Sequence, residues 1–339
     1  MYQINNVKIA GISSTVPELV IDNYSLKELY GDGLDKVISN IGVVRRHVTQ
    51  ANQSTADLCL ESAFRLLKEL EWSPDSIDAL IFVTQTPSVK LPSTACLLQN
   101  LLGLRTNVIA FDINLGCSGY VYGLHTAGAL INSGLKRVLL LVGDTISKII
   151  RPGDRSTELL FGDAGSSTAL EYSDGARWDF VLGTDGKGFE SIIASNIDAQ
   201  KIAEFQELNS AAWLSMNGGE VFNFTLRRVP EIVSSTHEIS GFTYDDIDYF
   251  IYHQANLYML KHLAKKSNID NHKMLTSIED YGNTSSASIP ITICHKLVNQ
   301  PSSPKLSMLV GFGVGLSWGG VVCDLSQTKI LPISILAAG

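Results

Sequence analysis

Asp75-Ser76-Ile77-Asp78-Ala79-Leu80-Ile81-Phe82 returns 170 residues further on as Asp245-Asp246-Ile247-Asp248-Tyr249-Phe250-Ile251-Tyr252. Each copy sets a short acidic turn before an apolar run with the length and side-chain branching of a buried strand. Two more matches keep the order. Gly116-Cys117-Ser118, which opens a helical pattern, falls opposite Gly282-Asn283-Thr284 at an offset of 166, and Leu141-Val142-Gly143 opposite Leu309-Val310-Gly311 at 168. Each match alone is weak, and the shared offset, close to half of the 339 residues, is the evidence. It predicts two similar βα halves, 1–172 and 173–339, packed about a pseudo-twofold axis. Cys117 and Asn283 would then occupy equivalent helix starts facing one shared cleft.

The surrounding pattern alternates in the same style. Buried strands are predicted at 77–84, 108–113 and 138–142. A helix is predicted over 56–70, with Ala56, Leu60, Ala63, Leu67 and Leu70 on one face behind Ser54 or Thr55 as cap. Segments 93–103 and 118–133 also read as helices. The second half offers a strand at 247–252, helices at 256–267 and 286–298, and strands at 306–310 and 319–325. A helix near 217–237 contains Pro230, which predicts a kink or break. Such alternation means an α/β architecture with covered sheets.

Composition narrows the function classes. Apolar residues make up 45% and charged residues 18%, which excludes a disordered chain, and the net charge of −8 provides no general basic field for nucleic acid or anionic membrane. No stretch approaches the ~18 apolar residues of a membrane span. Residues 1–8 lack a signal-peptide layout, and the apolar 330–339 is too short to anchor the chain. Five scattered cysteines with no Cys-x-x-Cys argue against a disulfide framework or a zinc site and for a reducing cytoplasm.

Among the five, Cys117 stands apart. A strand ends near Ile113, Asn114-Leu115-Gly116 turns the chain, and a helix opens at the cysteine. Backbone N–H groups and the positive helix end would face the sulfur and favour its thiolate. Cys59, Cys96, Cys294 and Cys323 fit the ordinary role of small buried apolar residues. His253 ends the strand at 247–252, where ligand-facing residues of α/β sheets collect. Asn283 reads as a turn and cap residue whose amide could also donate to a developing oxyanion. A cysteine with a histidine and an asparagine suits acyl transfer, and equally a cysteine protease. The run Gly311-Phe312-Gly313-Val314-Gly315 leads into a strand and lacks the dinucleotide spacing, so it is either a tight turn or a loop presenting N–H groups to a substrate oxygen. Lys261, Lys265 and Lys266 on the helix after His253 are a solvated face or a basic spot for an acidic carrier.

These residues resemble β-ketoacyl-acyl carrier protein synthase III of the thiolase superfamily. The likeness runs over nearly the whole chain: Gly42 with Arg46-His47, Pro92-Ser93-Thr94-Ala95-Cys96, Asn114-Leu115-Gly116-Cys117-Ser118-Gly119, Phe161-Gly162-Asp163-Ala164-Gly165, His253-Gln254-Ala255-Asn256-Leu257, Gly282-Asn283-Thr284-Ser285-Ser286-Ala287-Ser288, and Gly313-Val314-Gly315-Leu316-Ser317-Trp318-Gly319. The resemblance implies a thiolase-like fold layered α-β-α-β-α. It also implies an enzyme in which Cys117 takes an acyl group from an acyl-coenzyme A or acyl-carrier thioester. Malonyl on an acyl carrier protein then loses carbon dioxide while His253 and Asn283 hydrogen-bond its carbonyl, and the carbanion attacks the acyl-cysteine. The Cys117 and Val314 N–H groups would hold the oxyanion. No cofactor or metal is implied. Arg155 matches a nucleotide-side arginine, Lys265 and Lys266 match carrier-docking lysines, and relatives are homodimers in which the loop around Leu91 reaches toward the neighbouring subunit. Lys36 and Asn40 stand where well-known members clamp adenine with Trp and Arg, and Tyr258 replaces a carrier-docking arginine. Those departures leave a second reading open, in which the acyl group passes from Cys117 to a hydroxyl or amine without decarboxylation. A silent partner subunit is a third.

Overall fold

The computed structural model describes residues 1–194, 213–299 and 305–338. Eleven of the described strands join one sheet. In chain order they are β1 (Tyr2–Pro17), β2 (Ala79–Val83), β3 (Ile109–Ile113), β4 (Arg137–Asp144), β5 (Ala164–Thr184), β6 (Tyr249–Tyr252), β7 (Met274–Leu275), β8 (Leu306–Gly313), β9 (Ser317–Asp324), β10 (Lys329–Ile330) and β11 (Ser334–Leu336). The principal helices are α1 (Thr55–Glu69), α2 (Thr94–Leu101), α3 (Gly119–Asn132), α4 (Gly218–Ser240), α5 (Leu257–Lys266) and α6 (Ser288–Leu297).

Valine, isoleucine and leucine runs fill β2, β4 and β8, whose residues are buried on both faces as helix-covered parallel strands require. The path through the sheet reads β7-β6-β8-β9-β5-β4-β2-β3, and its pairing is mirrored about the centre. In one wing β3, β2 and β4 run parallel and β4 meets β5 antiparallel. In the other, β7, β6 and β8 run parallel and β8 meets β9 antiparallel. The wings join where β9 pairs antiparallel with the far end of β5. Residue 172 lies inside β5, which pairs with β4 up to Glu171 and with β9 from Phe180.

Helices cover this sheet in three layers. α3 and α6 share the central core, where Tyr120, Leu124 and Ile131 meet Ile289, Ile293 and Leu297. α1 and α2 cover the outer face of the first wing, through Leu66 and Leu98 against Leu80 and Phe82. α4 and α5 cover that of the second, through Ile232 and Leu260 against Phe250 and Val310. This is the layered α-β-α-β-α, thiolase-like arrangement.

Ser54 caps α1 as the sequence predicts, and the cap is reciprocal, because the Asp57 carboxylate returns to the Ser54 N–H at 2.7 Å. Of the kink or break expected at Pro230, no break occurs, since α4 runs through it from Gly218 to Ser240. Proline withdraws the N–H that would bond the Leu226 carbonyl. The Lys266 ammonium on α5 supplies the missing donor at 2.7 Å.

Two long strands have no counterpart in the sequence reading. β1 and β5 pair antiparallel along most of their length, and the chain after Asp324 lies parallel to β1 as β10 and β11. No helix among the described residues is long and apolar enough to cross a membrane.

Candidate active site

The two central helices start at the same place in the fold. α3 begins at Gly119, two residues beyond Cys117, which sits in the turn. The loop Asn283–Ala287 leads into α6. His253 follows the carboxyl end of β6, and Val314 lies in the turn between β8 and β9. Strand ends and helix starts from both wings thus converge, and Cys117, His253, Asn283 and Val314 line one cavity.

Cys117 is half-buried at that cavity. Gly313 passes so close that a Cβ there would come within 2.9 Å of the sulfur, and its φ of +154° is one that glycine tolerates. Val314 needs no such freedom, because it is not among the residues with positive φ. Its N–H bonds the Cys117 sulfur, and its carbonyl accepts from the Ser317 hydroxyl at 2.6 Å, which fixes the peptide.

The thiolate expected from the helix start is not the resting form. Burial pushes the Cys117 thiol up to about 11, the Val314 N–H pulls it back, and the Asp144 charge raises it again. Removal of the sulfur from water outweighs the donors around it.

His253 is 2% exposed, with Nδ1 2.8 Å from the Ser288 hydroxyl at the start of α6 and the Phe312 ring edge-on at 5.5 Å. Burial pushes its pKa down to about 3 against a backbone bond to Ser285 that acts the other way. The ring is therefore a neutral imidazole with a single N–H. The Asn283 Oδ1 accepts from the Ser285 N–H at 2.9 Å, so its NH2 remains as the donor. Ser285 has a φ of 49°, a left-handed turn that folds this loop back on the asparagine.

Beneath the site lies Asp144, fully buried at the end of β4. Its Oδ1 accepts from the Gln85 N–H at 2.7 Å, and its Oδ2 from the Ser286 N–H at 3.1 Å and hydroxyl at 2.6 Å. One carboxylate thus ties the loop after β2 to the loop that carries Asn283. Gln85 and Asp144 escaped the sequence reading, and Ser286 and Ser288 entered it only as members of the 282–288 motif, without a role. The position of Thr84-Gln85-Thr86 just past a buried strand was the available signal for the first.

The remaining expected residues lie elsewhere. Arg155 is half-buried at the start of a short helix, away from the cavity lining, with an Nε that has no partner among the described residues. Lys261 and Lys265 line a separate groove on α5 with Leu260 and Met274. Lys266 is engaged at Leu226, as described above. Leu91 is 89% exposed and is not among the residues that line its own chain's cavity.

Comparison with known proteins agrees with the geometry. Residues 111–186 match the 3-oxoacyl-[acyl-carrier-protein] synthase III family model, and residues 238–325 match that of the same enzyme's C-terminal region. β-Ketoacyl-[acyl-carrier-protein] synthase III of Lactococcus lactis is 35% identical over 326 residues, covering 94% of this chain and 99% of the relative. The Clostridium acetobutylicum enzyme of the same name is 34% identical over 333 residues, covering 96% and 100%. The crystal structure of 3-oxoacyl-(acyl-carrier protein) synthase from Burkholderia xenovorans superposes with a TM-score of 0.93 at 44% identity, covering 99% of this chain and 98% of that one. The fold and the site define a condensing acyltransferase. The chain belongs to the 3-oxoacyl-[acyl-carrier-protein] synthase III family.

Proposed function

We propose that Cys117, His253 and Asn283 perform a two-stage condensation, a reading carried by their meeting in one cavity. In the first stage the Cys117 sulfur attacks the carbonyl carbon of an acyl thioester. The carbonyl oxygen collects negative charge against the Cys117 and Val314 N–H groups. The thioester C–S bond breaks, and the thiol proton leaves with the departing carrier or coenzyme A thiol. The high thiol pKa means that this proton must move as the substrate binds.

In the second stage malonyl on an acyl carrier protein loses carbon dioxide, and the electron pair of the broken C–C bond becomes an enolate. Two neutral donors, the His253 imidazole and the Asn283 amide, hold the enolate oxygen. A charged imidazolium would offer a proton to the carbanion, and burial forbids it. The carbanion then attacks the acyl carbonyl, a new C–C bond forms, and the sulfur is expelled and reprotonated. No metal or cofactor enters either stage.

Lys261 and Lys265 are proposed to meet the acidic carrier, with Lys266 only at their margin, and Arg155 the nucleotide side of a coenzyme A donor. The halves 1–172 and 173–339 are proposed as the duplicated units, and the cytoplasm as the location. A homodimer is proposed through β3. Among the described residues β3 ends the sheet, flanked by exposed Leu97, Leu101 and Ile109, with Leu91 beyond.

The test is intact-mass measurement after mixing with acyl thioesters, followed by addition of malonyl-carrier protein. The expected result is an acyl adduct on the wild type, none on Cys117→Ser, and release of carbon dioxide with a 3-oxoacyl product. An adduct that passes to a hydroxyl or amine without carbon dioxide would assign the other transferase reading, and no adduct at all would end both.

A further inference from the structure

The cavity holds a polar side chain beside the nucleophile that neither stage employs. Gln85 lines it beside Cys117, half-buried, where the chain leaves β2. Its backbone N–H is committed to Asp144, which fixes the residue, while its carboxamide has no hydrogen-bond partner among the described residues. Its Oε1 lies 2.3 Å from where a Cβ on Gly116 would stand, and Val314 Cγ1 lies 3.0 Å from the same point. The carboxamide therefore sits over the residue before the nucleophile, next to the peptide whose N–H holds the sulfur.

Its neighbours in the cavity are of two kinds. Ile146, Leu160, Phe161, Leu214 and Met216 are apolar and suit a hydrocarbon. Of the other polar ones, the Asn256 Oδ1 accepts from Met259 N–H at 2.7 Å, and the Thr225 hydroxyl donates to Val221 O at 2.7 Å. A plain acyl chain passing Gln85 would displace water from an amide and leave it unpaired, which costs binding. An acyl chain with an oxygen there would not.

From this we infer that Gln85 is a specificity-determining residue, selecting short acyl groups with a hydroxyl or carbonyl oxygen on the second or third carbon from the thioester. The inference rests on the acyl-cysteine reading and names the substrate class of that same site. In the loading step the bond between Cys117 Sγ and the acyl carbon forms, the thioester C–S bond breaks, and the cysteine proton leaves with the free thiol. Gln85 takes no part in that exchange. It contributes a donor and an acceptor to the substituent, both of which a hydroxyl can use at once.

The experiment compares N-acetylcysteamine thioesters of butyrate, 2-hydroxybutyrate and 3-hydroxybutyrate, with adduct formation on Cys117 followed by intact mass. Wild-type protein is expected to load one of the hydroxylated groups about tenfold faster than butyrate, a modest value for a polar pocket because Gln85 remains partly hydrated. In Gln85→Met, which keeps the volume and removes the amide, that ratio is expected to fall to about one. Because the ratio is measured within one protein, a partial loss of folded enzyme cancels. Equal loading of all three by the wild type, or a preference that survives in Gln85→Met, would overturn the inference while leaving the acyl-cysteine intact. Loading of none of the three would instead remove the acyl-cysteine reading, and the role of Gln85 with it.

Discussion

At Cys117 two influences act on one sulfur, and their balance has a measurable sign. N–H groups favour the anion and burial favours the thiol, which burial wins by pushing the group up to about 11. The thiolate fraction then grows with pH well past the ~8.5 of a free cysteine. Alkylation of Cys117 by iodoacetamide is expected to keep accelerating about tenfold per pH unit until near pH 11, with Cys117→Ser as the blank. A plateau below pH 9 would mean that the helix start dominates after all. Ser288 offers a second prediction at this scale. Its hydroxyl, 2.8 Å from His253 Nδ1, holds the ring in place at the cavity. Ser288→Ala should slow malonyl decarboxylation about tenfold, less than the ~10²–10³ expected on deleting an oxyanion donor. Adduct formation on Cys117 should stay at the wild-type rate, which a general loss of structure would not allow.

Among the elements, α4 and α5 are coupled by one hydrogen bond. The Lys266 ammonium serves the carbonyl that Pro230 leaves without a partner. Lys266→Ala is expected to cost about 1 kcal/mol of stability. In a Pro230→Ala background the helix supplies its own donor, so the same change should cost close to nothing, and the difference is read from a double-mutant cycle in denaturant. Additive costs would show that the lysine does no more than face solvent. What could be read beforehand follows the same physics. β2, β4 and β8 are valine- and leucine-rich, and burial on both faces makes such strands visible as apolar runs. β1 and β5 stayed hidden because their most deeply buried stretches, Ser13-Ser14-Thr15 and Ser166-Ser167-Thr168, are polar. The Ser14 and Ser167 hydroxyls find partners only across the fold, at the Cys294 sulfur and at the Ser62 hydroxyl 3.0 Å away, and that of Ser13 finds none among the described residues. Cys117, His253 and Asn283 were legible because each follows a turn at a predicted strand end or helix start. Gln85, Asp144 and Ser288 were not, because their roles depend on contacts 35 or more residues away in the chain.

For the whole molecule, the proposed dimer rests on the outer strand β3. An exposed apolar edge invites pairing with another chain, and Ile109 at its start is 44% exposed. Sedimentation equilibrium of the wild type is expected to give a dimer, and Ile109→Lys to shift it toward the 36.8 kDa monomer. A monomeric wild type would remove β3 as an interface. The opposite situation holds at β1. This strand comes first in the chain, yet one flank waits for β5 and the other for β10 and β11. Synthesis delivers β10 and β11 long after β1 itself, from Lys329 onward. A nascent chain therefore carries a long strand with open hydrogen-bonding groups until Lys329–Ile330 and Ser334–Leu336 have left the ribosome.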